Sequence, residues 1–191
     1  KVLTFRGFCK RLLGFSKFEI PGLLPQPSSF DAFSFPTWET SQVSIIICVH
    51  NHIAFTYNCL LSILNNTQSV SYEVLVVNDC STDQTKDVLN TIGNVRIIEN
   101  TENIGFLRSC NKALASSKGT YVCFLNNDVQ VLPGWLNNLV APFENFDRVG
   151  LVGAKLIYPF GLLQEAGGMV NYTGEPGNYG KFNDPQDVFY N

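Results

Sequence analysis

The sequence predicts an α/β fold with a Rossmann-type, mainly parallel sheet flanked by helices. From residue 43 onward, short β-branched runs alternate with amphipathic segments. Strands that alternate with helices at this spacing form βαβ units with right-handed crossovers. The chain has 191 residues, of which 45% are hydrophobic, so it can bury a sizeable core. No apolar run in the sequence approaches the roughly 20 residues that cross a bilayer, and we therefore expect a soluble globular protein.

The first half of the predicted domain contains two strands and two helices. Residues 43–49, VSIIICV, are typical of a parallel strand that is buried on both faces. The next apolar residues recur at helical spacing and predict a helix: Tyr57, Leu60, Leu61 and Leu64. Residues 73–77 predict the second strand. Residues 81–84, STDQ, match a capping box, which predicts the start of a helix that buries Val88, Leu89 and Ile92.

The second half continues the same alternation. Residues 95–98 and 121–125 are short apolar runs that predict the third and fourth strands. Between them, a helix is predicted to bury Leu107, Cys110 and Leu114. After the fourth strand, Pro133 occupies a plausible first position of a helix. The apolar residues of that last helix are Leu136, Leu139, Val140 and Phe143.

Residues 1–40 are predicted to form an N-terminal extension or linker, because they are rich in Phe and interrupted by four prolines. Residues 1–18 carry five basic residues and no acidic residue, and their aromatic residues recur at helical spacing. Two interpretations remain open. The segment forms a short helix that packs on its own domain or on a neighbour, or it makes peripheral contact with an anionic membrane. The second interpretation places the protein at the inner face of the membrane.

Cysteine usage and net charge restrict the cellular context. Six cysteines lack any C-x-x-C spacing, and Cys48 and Cys123 lie in apolar runs that predict central strands. This pattern favours buried free thiols over a disulfide framework or a structural zinc site. We therefore expect a reducing compartment and a cytoplasmic protein. The net charge of −3 provides no general attraction to nucleic acid, so no nucleic-acid partner is expected.

Polar residues follow each of the four predicted strands, at residues 50–52, 78–79, 99–103 and 126–128. Ligands of open α/β sheets bind outside the carboxyl ends of the strands, so these residues form a candidate site. Carboxylate and amide oxygens at one edge can hold a hydroxylated ligand and a divalent metal. The alternative is a set of ordinary turn formers. His50 and His52 do not predict a zinc site, because no further Cys or His is placed to complete it.

Three segments occur in order along the chain: VSIIICVHN, YEVLVVNDCSTDQT and ENTENIGFLRSCNKALASSKGTYVCFLNNDVQVLPGWL. Together they resemble the nucleotide-sugar-binding half of a family 2 glycosyltransferase with the GT-A fold. The later LVGAKLIYPFGLLQEAGGMV is similar to the branch with rhamnosyltransferase-like and polysaccharide or O-antigen enzymes. The resemblance implies that residues 41–191 are the nucleotide-sugar-binding part of a GT-A domain, and that this domain is incomplete.

The resemblance implies nucleotide-binding roles for four residues near the first two strands. In such enzymes the loop after the first strand cradles the nucleobase and ribose, which implicates Cys48, His50 and Asn51. The second acid of the family's D-D-G-S motif binds the base, and Asp79 occupies its position. This chain has Asn in place of the first acid and Cys in place of the glycine, so an altered base pocket is expected.

The resemblance also implies roles for residues after the third and fourth strands. Arg108 and Asn111 lie in the segment near the nucleotide, and the alternative for Arg108 is a solvated helix face. Asn127 and Asp128 occupy the place of the family's D-x-D motif, whose last acid binds Mg²⁺ or Mn²⁺. The metal neutralises charge on the diphosphate as the glycosidic bond breaks. For Asp128 the alternative is a turn residue that caps the helix at Pro133.

The expected function is therefore an inverting glycosyltransferase. Its donor is a nucleotide-diphosphate sugar of the UDP or dTDP type, and its acceptor is a glycan or a lipid-linked molecule. The catalytic base is unassigned. Glu175, Asp184 and Asp187 follow Gly168, but none ends an apolar strand, so we expect the chain to bind donor without transferring sugar. The alternatives are a non-catalytic binding module and a nucleotidyltransferase, although CVHNHIAF lacks the Gly-rich basic loop of the latter.

Overall fold

The structure is a computed structural model that describes residues 20 and 22–190. The helix expected within residues 1–18 lies outside the described residues. The chain divides into two compact units at residue 139, within a helix. The unit Leu24–Asn138 contains the predicted sheet, and the described residues from 139 onward contain short hairpins.

The first unit is built on a four-stranded sheet whose strand pairs are all parallel. The strands are β1 (Val43–Val49), β2 (Tyr72–Asn78), β3 (Val95–Glu99) and β4 (Tyr121–Phe124). Their order across the sheet is β3-β2-β1-β4, which confirms the mainly parallel sheet. Every residue of β1 is buried, as the continuous apolar run predicts. The expectation that Cys123 lies in a central strand is wrong, because β4 is an edge strand of the described sheet.

Four helices lie in the described chain: α1 (Ile53–Asn66), α2 (Thr85–Leu89), α3 (Phe106–Leu114) and α4 (Trp135–Asn145). Two of them begin later than the sequence predicts. The capping box does not form, because the Ser81 hydroxyl accepts a hydrogen bond from the amide of Asn51. Asp83 instead accepts the amide proton of Thr85 at 3.0 Å, and α2 begins there. Pro133 lies outside α4, because Gly134 has φ +78 and interrupts helical geometry.

Helix α3 buries a different face from the one predicted. Ser109, Cys110 and Ala113 are buried, whereas Leu107 is 71% exposed and Leu114 is also exposed. At 100° per residue, both leucines lie about 100° around the helix from the centre of the buried face. Small side chains at Ser109 and Ala113 let the helix axis approach the sheet closely. The leucine pattern predicted the helix but not its orientation.

Part of the predicted N-terminal extension packs on the sheet unit. Phe30 and Phe33 contact the ring of Tyr57 on α1 edge to face, with centroid distances of 5.3 and 5.6 Å. Phe35 is buried, and its amide donates to the carbonyl of Gly93 at 3.0 Å. Residues 30–35 therefore cover α1 and the turn before β3.

The described residues from 139 onward form two antiparallel hairpins. The first pairs β5 (Leu156–Ile157) with β6 (Leu163–Glu165), and the second pairs β7 (Gly168–Val170) with β8 (Pro176–Asn178). A 3₁₀ turn spans Val188–Tyr190. Across the described residues, every helix is too short or too polar to cross a membrane.

Gly119 is predicted to be essential for the entry into β4. A Cβ atom at this position would lie 2.4 Å from the backbone nitrogen of Ser44 and 2.7 Å from the carbonyl carbon of Val43. Since backbone atoms of a buried strand cannot move aside, Gly119→Ala should lower the free energy of unfolding by about 1–3 kcal/mol. Urea titration followed by circular dichroism measures the change.

Gly150→Ala is the matched control for this prediction. No atom lies within 4 Å of a Cβ built at Gly150, so its free energy of unfolding should change by less than about 0.5 kcal/mol. Equal stability of the two alanine variants would contradict the close packing of Gly119 against β1.

Candidate functional site

The loops that follow β1, β2 and β3 start at the same level of the sheet. Val49 pairs with Asn78, and Asn78 pairs with Glu99, so the three strands end side by side. In parallel strands these are all carboxyl ends, where α/β sheets bind their ligands. The structure therefore brings the predicted polar segments after these strands to one edge, called here the carboxyl edge.

Asp79 is the centre of a hydrogen-bond network at the carboxyl edge. Its Oδ1 accepts from the Nδ2 of Asn100 at 2.8 Å and from the amide of Ile104 at 2.9 Å. Its Oδ2 accepts from the amide of Gly105 at 2.9 Å. The side chain is only 4% exposed. A buried carboxylate with several charge-assisted hydrogen bonds holds its partners firmly, so Asp79 fixes the loop between β3 and α3.

The same bonds determine the ionisation of Asp79. Burial opposes the charged form and by itself raises the pKa, but the bonds from Asn100, Ile104, Gly105 and Ser109 outweigh it. The pKa of Asp79 therefore lies below its ordinary value of 3.8. Asp79 is ionised at neutral pH and carries a negative charge within the loop cluster.

Asn100 was not singled out by sequence reasoning, although it lies in one of the predicted polar segments. It is buried at 7% exposure and donates to both Asp79 and the hydroxyl of Ser109, the latter at 3.0 Å. Its Oδ1 accepts from the Nζ of Lys112 at 2.6 Å. Asn100 thus links β2 to α3. The available signal was its position directly after a strand, which does not reveal burial.

His50 and Asn51 join the loop after β1 to the loop after β2. The Nδ1 of His50 lies 2.8 Å from the carbonyl oxygen of Asp79, so a proton on Nδ1 donates to it. The Oδ1 of Asn51 accepts from the amide of Thr82 at 2.7 Å. Asn51 has φ +60, a left-handed conformation that Asn tolerates better than most residues. The structure therefore joins His50, Asn51 and Asp79.

Cys48 forms part of the wall beneath these loops. Its Sγ lies 3.4 Å from the Sγ of Cys110 on α3. Burial, followed by the contact with Cys110, raises the pKa of the Cys48 thiol well above its ordinary range. The thiol is therefore protonated at neutral pH, and Cys48 can line a pocket but not act as a nucleophile.

Asn127 and Asp128 follow β4 and differ in their surroundings. The Nδ2 of Asn127 donates to the hydroxyl of Thr56 on α1 at 3.0 Å, which ties this loop to the helix. Asp128 is exposed, and within the described part of the chain no hydrogen bond occupies its carboxylate. Because α4 begins only at Trp135, the structure shows no helix cap by Asp128.

Among the described residues, a divalent metal would need further oxygen ligands from a bound molecule. The described residues contain no group of three or more His, Cys, Asp or Glu side chains that could hold a metal alone. Asp128 offers one free, solvent-facing carboxylate. Mg²⁺ commonly binds one or two carboxylates and completes its shell with phosphate oxygens and water. The donor set is therefore compatible with Mg²⁺ or Mn²⁺ held between Asp128 and a diphosphate.

Arg108 and Asn111 are not members of the Asp79 network within the described residues. Both are exposed on α3, and no hydrogen bond joins either one to Asp79 within the described residues. The structure is consistent with the solvated helix face considered for Arg108. Their roles toward a nucleotide remain predictions.

The acids that follow Gly168 are engaged in local turns. Glu175 accepts from the Nδ2 of Asn171 at 3.1 Å, and Asp184 accepts from the amide of Gln186 at 2.8 Å. Asp187 accepts from the amide of Phe189 at 3.1 Å. Each of these carboxylates stabilises a turn within four residues of itself.

The sequence matches a known protein family over most of its length. The family model described as Glycosyl transferase family 2 matches residues 44–176. The chain is 34% identical over 168 residues to protein y4gI of Sinorhizobium fredii, covering 83% of this chain and 18% of that protein. It is 33% identical over 148 residues to the O-antigen biosynthesis protein RfbC of Myxococcus xanthus, covering 75% and 12%. The chain thus spans less than a fifth of the length of these two relatives.

Solved structures share the fold. The mannosyltransferase PcManGT from Pyrobaculum calidifontis, in complex with GDP-Man and Mn²⁺, superimposes with a TM-score of 0.52 at 22% identity. The superposition covers 76% of this chain and 40% of that one. The four-stranded parallel sheet with flanking helices is therefore a GT-A-type sheet, as expected.

Removal of the Asp79 charge is predicted to destabilise the fold. In Asp79→Asn, an amide NH₂ replaces one carboxylate oxygen and faces the N–H groups of Asn100, Ile104 or Gly105. Because buried donors then lose their acceptor, the free energy of unfolding should fall by about 3 kcal/mol. Asp128→Asn, at an exposed position, should change it by less than about 0.5 kcal/mol. Similar losses in the two variants would contradict the network.

Acid unfolding provides a separate prediction for the same residue. Because the folded pKa of Asp79 is lowered, its stabilising contribution is fully present above 3.8 and disappears as pH falls further. The stability of the wild type should therefore decline more steeply below pH 4 than that of Asp79→Asn. Urea midpoints measured between about pH 5 and pH 2.5 test this difference. Parallel pH profiles would show that Asp79 has an ordinary pKa.

Proposed function

The chain belongs to glycosyl transferase family 2, and we propose that it forms the nucleotide-sugar-binding part of an inverting, metal-dependent glycosyltransferase. The observation that carries this proposal is the pairing of two acids in opposite environments on the polar loops after the strands. Buried Asp79 fixes the loops after β2 and β3, and exposed Asp128 follows β4 with a free carboxylate. A nucleotide-diphosphate needs both a shaped base pocket and a charge-neutralising site.

The base pocket is proposed to lie between the loops after β1 and β2. Cys48, His50 and Asn51 form one wall, and His50 and Asn51 are held by hydrogen bonds to the loop after β2. The Asp79 carboxylate already accepts from Asn100, Ile104, Gly105 and Ser109, which fills the roughly four acceptor positions of a carboxylate. We propose that the imide N–H of uracil or thymine replaces the Ser109 hydroxyl as a donor to Asp79 when the nucleotide binds. UDP- or dTDP-sugars are therefore the proposed donors.

The diphosphate is proposed to lie toward Asp128. Asp128 would hold Mg²⁺ or Mn²⁺ together with the phosphate oxygens, and Asn127 would contact the sugar-nucleotide from a loop fixed by Thr56. When bound, the metal would neutralise the negative charge that develops on the leaving diphosphate. The Pyrobaculum mannosyltransferase of the same fold is in complex with GDP-Man and Mn²⁺, which supports this class of ligand. Arg108 and Asn111 at the exposed face of α3 are proposed to contact the nucleotide from the other side.

Transfer is proposed to proceed by a single displacement with inversion. An acceptor hydroxyl, deprotonated by a carboxylate base, attacks the anomeric carbon opposite the leaving nucleoside diphosphate. We assign the base to none of Glu175, Asp184 and Asp187, since each is engaged in a turn. The relative RfbC is named an O-antigen biosynthesis protein, and this name supports a glycan or lipid-linked acceptor in polysaccharide biosynthesis. Such acceptors would be met at the cytoplasmic face of a membrane.

Calorimetry with UDP and dTDP, with and without Mn²⁺, tests the donor site. We expect the metal to strengthen binding at least about tenfold, equivalent to ~1.4 kcal/mol. In Asp128→Asn, the affinity with Mn²⁺ should fall to the value measured without it, because the change removes the free carboxylate and leaves the fold intact. Asp147→Asn, which changes another exposed aspartate, is the matched control and should retain the metal effect.

Two results would contradict the proposal in different ways. No heat with either nucleotide from folded protein would favour a non-catalytic module that binds other partners. An undiminished metal effect in Asp128→Asn would show that the metal is held by other residues.

A further inference from the structure

A cavity lies at the end of the sheet opposite the carboxyl edge, called here the amino edge. Its volume is about 610 Å³, within the range of small-molecule sites. It is lined by residues that precede or begin the strands, including Tyr72 at the start of β2, Asn94 before β3 and Thr120 before β4. Because β1 and β2 have seven residues each at about 3.3 Å per residue, roughly 20 Å separates this cavity from the carboxyl edge.

Tyr72 contributes a buried hydroxyl that lacks a partner. The residue is 2% exposed, and its hydroxyl has no hydrogen-bond partner in the part of the chain that the structure describes. Its ring packs edge to face against Phe35 at a centroid distance of 6.1 Å, which restricts its movement. Burial raises the pKa of Tyr72 to about 12, so the hydroxyl keeps its proton and can donate. Buried polar groups are nearly always paired, and an exception requires an explanation.

The other lining groups are polar and close to neutral in total charge. Glu73 is already neutralised by Arg96, with an Nη1 to Oε2 distance of 2.7 Å. Glu39 and Lys118 are exposed and carry opposite charges. Trp38 is 42% exposed and presents a large aromatic surface at this cavity. A single lysine among acids is a poor phosphate site, and a polar lining is a poor site for an apolar ligand.

We propose that the amino-edge cavity is a second carbohydrate-binding site, remote from the donor site. A sugar ring presents an apolar C–H face that packs on an aromatic ring, and hydroxyls that pair with polar groups. Trp38 supplies the aromatic surface, and a sugar hydroxyl or a water bound with it supplies the partner of Tyr72. Such a site would hold a glycan chain about 20 Å from the point of transfer. The inference goes beyond the proposed function and does not depend on its transfer chemistry.

The experiment measures binding of two defined probes, maltotriose and the trimer of N-acetylglucosamine, by saturation-transfer NMR and titration. We expect at least one trimer to bind, and UDP with Mn²⁺ not to displace it. Trp38→Ala should abolish the transfer signal, and Tyr72→Phe should weaken binding about fivefold through loss of one hydrogen bond. Tyr172→Ala, at another exposed aromatic residue, is the matched control and should bind normally.

Each alternative outcome has a defined meaning. No binding of either trimer by folded protein, or unchanged binding in Trp38→Ala, overturns the proposal. If Tyr72→Phe raises the melting temperature and binds sugar as well as the wild type, the proposed role of the hydroxyl is overturned. Such a result would mean that the substitution only removes an unpaired buried group. Asp128→Asn should bind the trimers normally, so failure of the donor site and failure of this site are distinguishable.

Discussion

The buried carboxylate of Asp79 is the constraint on which the carboxyl edge depends. The carboxylate accepts hydrogen bonds from Asn100, Ile104 and Gly105, which close the loop between β3 and α3. The backbone carbonyl oxygen of Asp79 lies 2.8 Å from the Nδ1 of His50, in the loop after β1. The amide of Gly105 also donates to the Oδ1 of Asn103, but the amide of Ile104 has no other acceptor within the described residues. The side chain of Asp79 therefore holds the loop before α3, and its backbone carbonyl holds the loop after β1, 29 positions earlier in the sequence.

The parallel register gives the two ends of the sheet different characters. At the carboxyl edge, the amides of Asn78 and Asn100 donate to the carboxylates of Glu99 and Asp79, and these bonds cross-link the ends of β2 and β3. At the amino edge, the carboxylate of Glu73 accepts hydrogen bonds from the side chains of Ser44 and Arg96 and from the amide of Lys118. Burial and pairing make Asp79 and Glu73 organising residues. Asp128, which is exposed and unbonded within the described chain, is suited to contact a ligand.

Sequence patterns predicted the strands well, because the continuous β-branched runs of β1 and β2 are typical of parallel strands that are buried on both faces. They predicted helix faces and caps less well. Ser81 belongs to the capping-box pattern, but its hydroxyl bonds to Asn51, a residue 30 positions away that local sequence cannot reveal. Likewise, Asn100 appeared as one turn former among several, and only the packing of α3 makes it a buried link. Tertiary contacts determine the partners and the burial of such residues.

Amide hydrogen exchange at Ile104 and Gly105 tests the central claim most directly. Both N–H groups lie in an irregular loop. The amide of Gly105 also donates to the Oδ1 of Asn103, whereas the amide of Ile104 has only the Asp79 carboxylate as acceptor within the described residues, so Ile104 is the decisive probe. In the ligand-free protein at neutral pH, we predict exchange far slower than at the neighbouring exposed residues Thr101 and Glu102. Exchange of Ile104 and Gly105 at the rate of those neighbours would contradict an edge that is organised by Asp79 before any nucleotide binds.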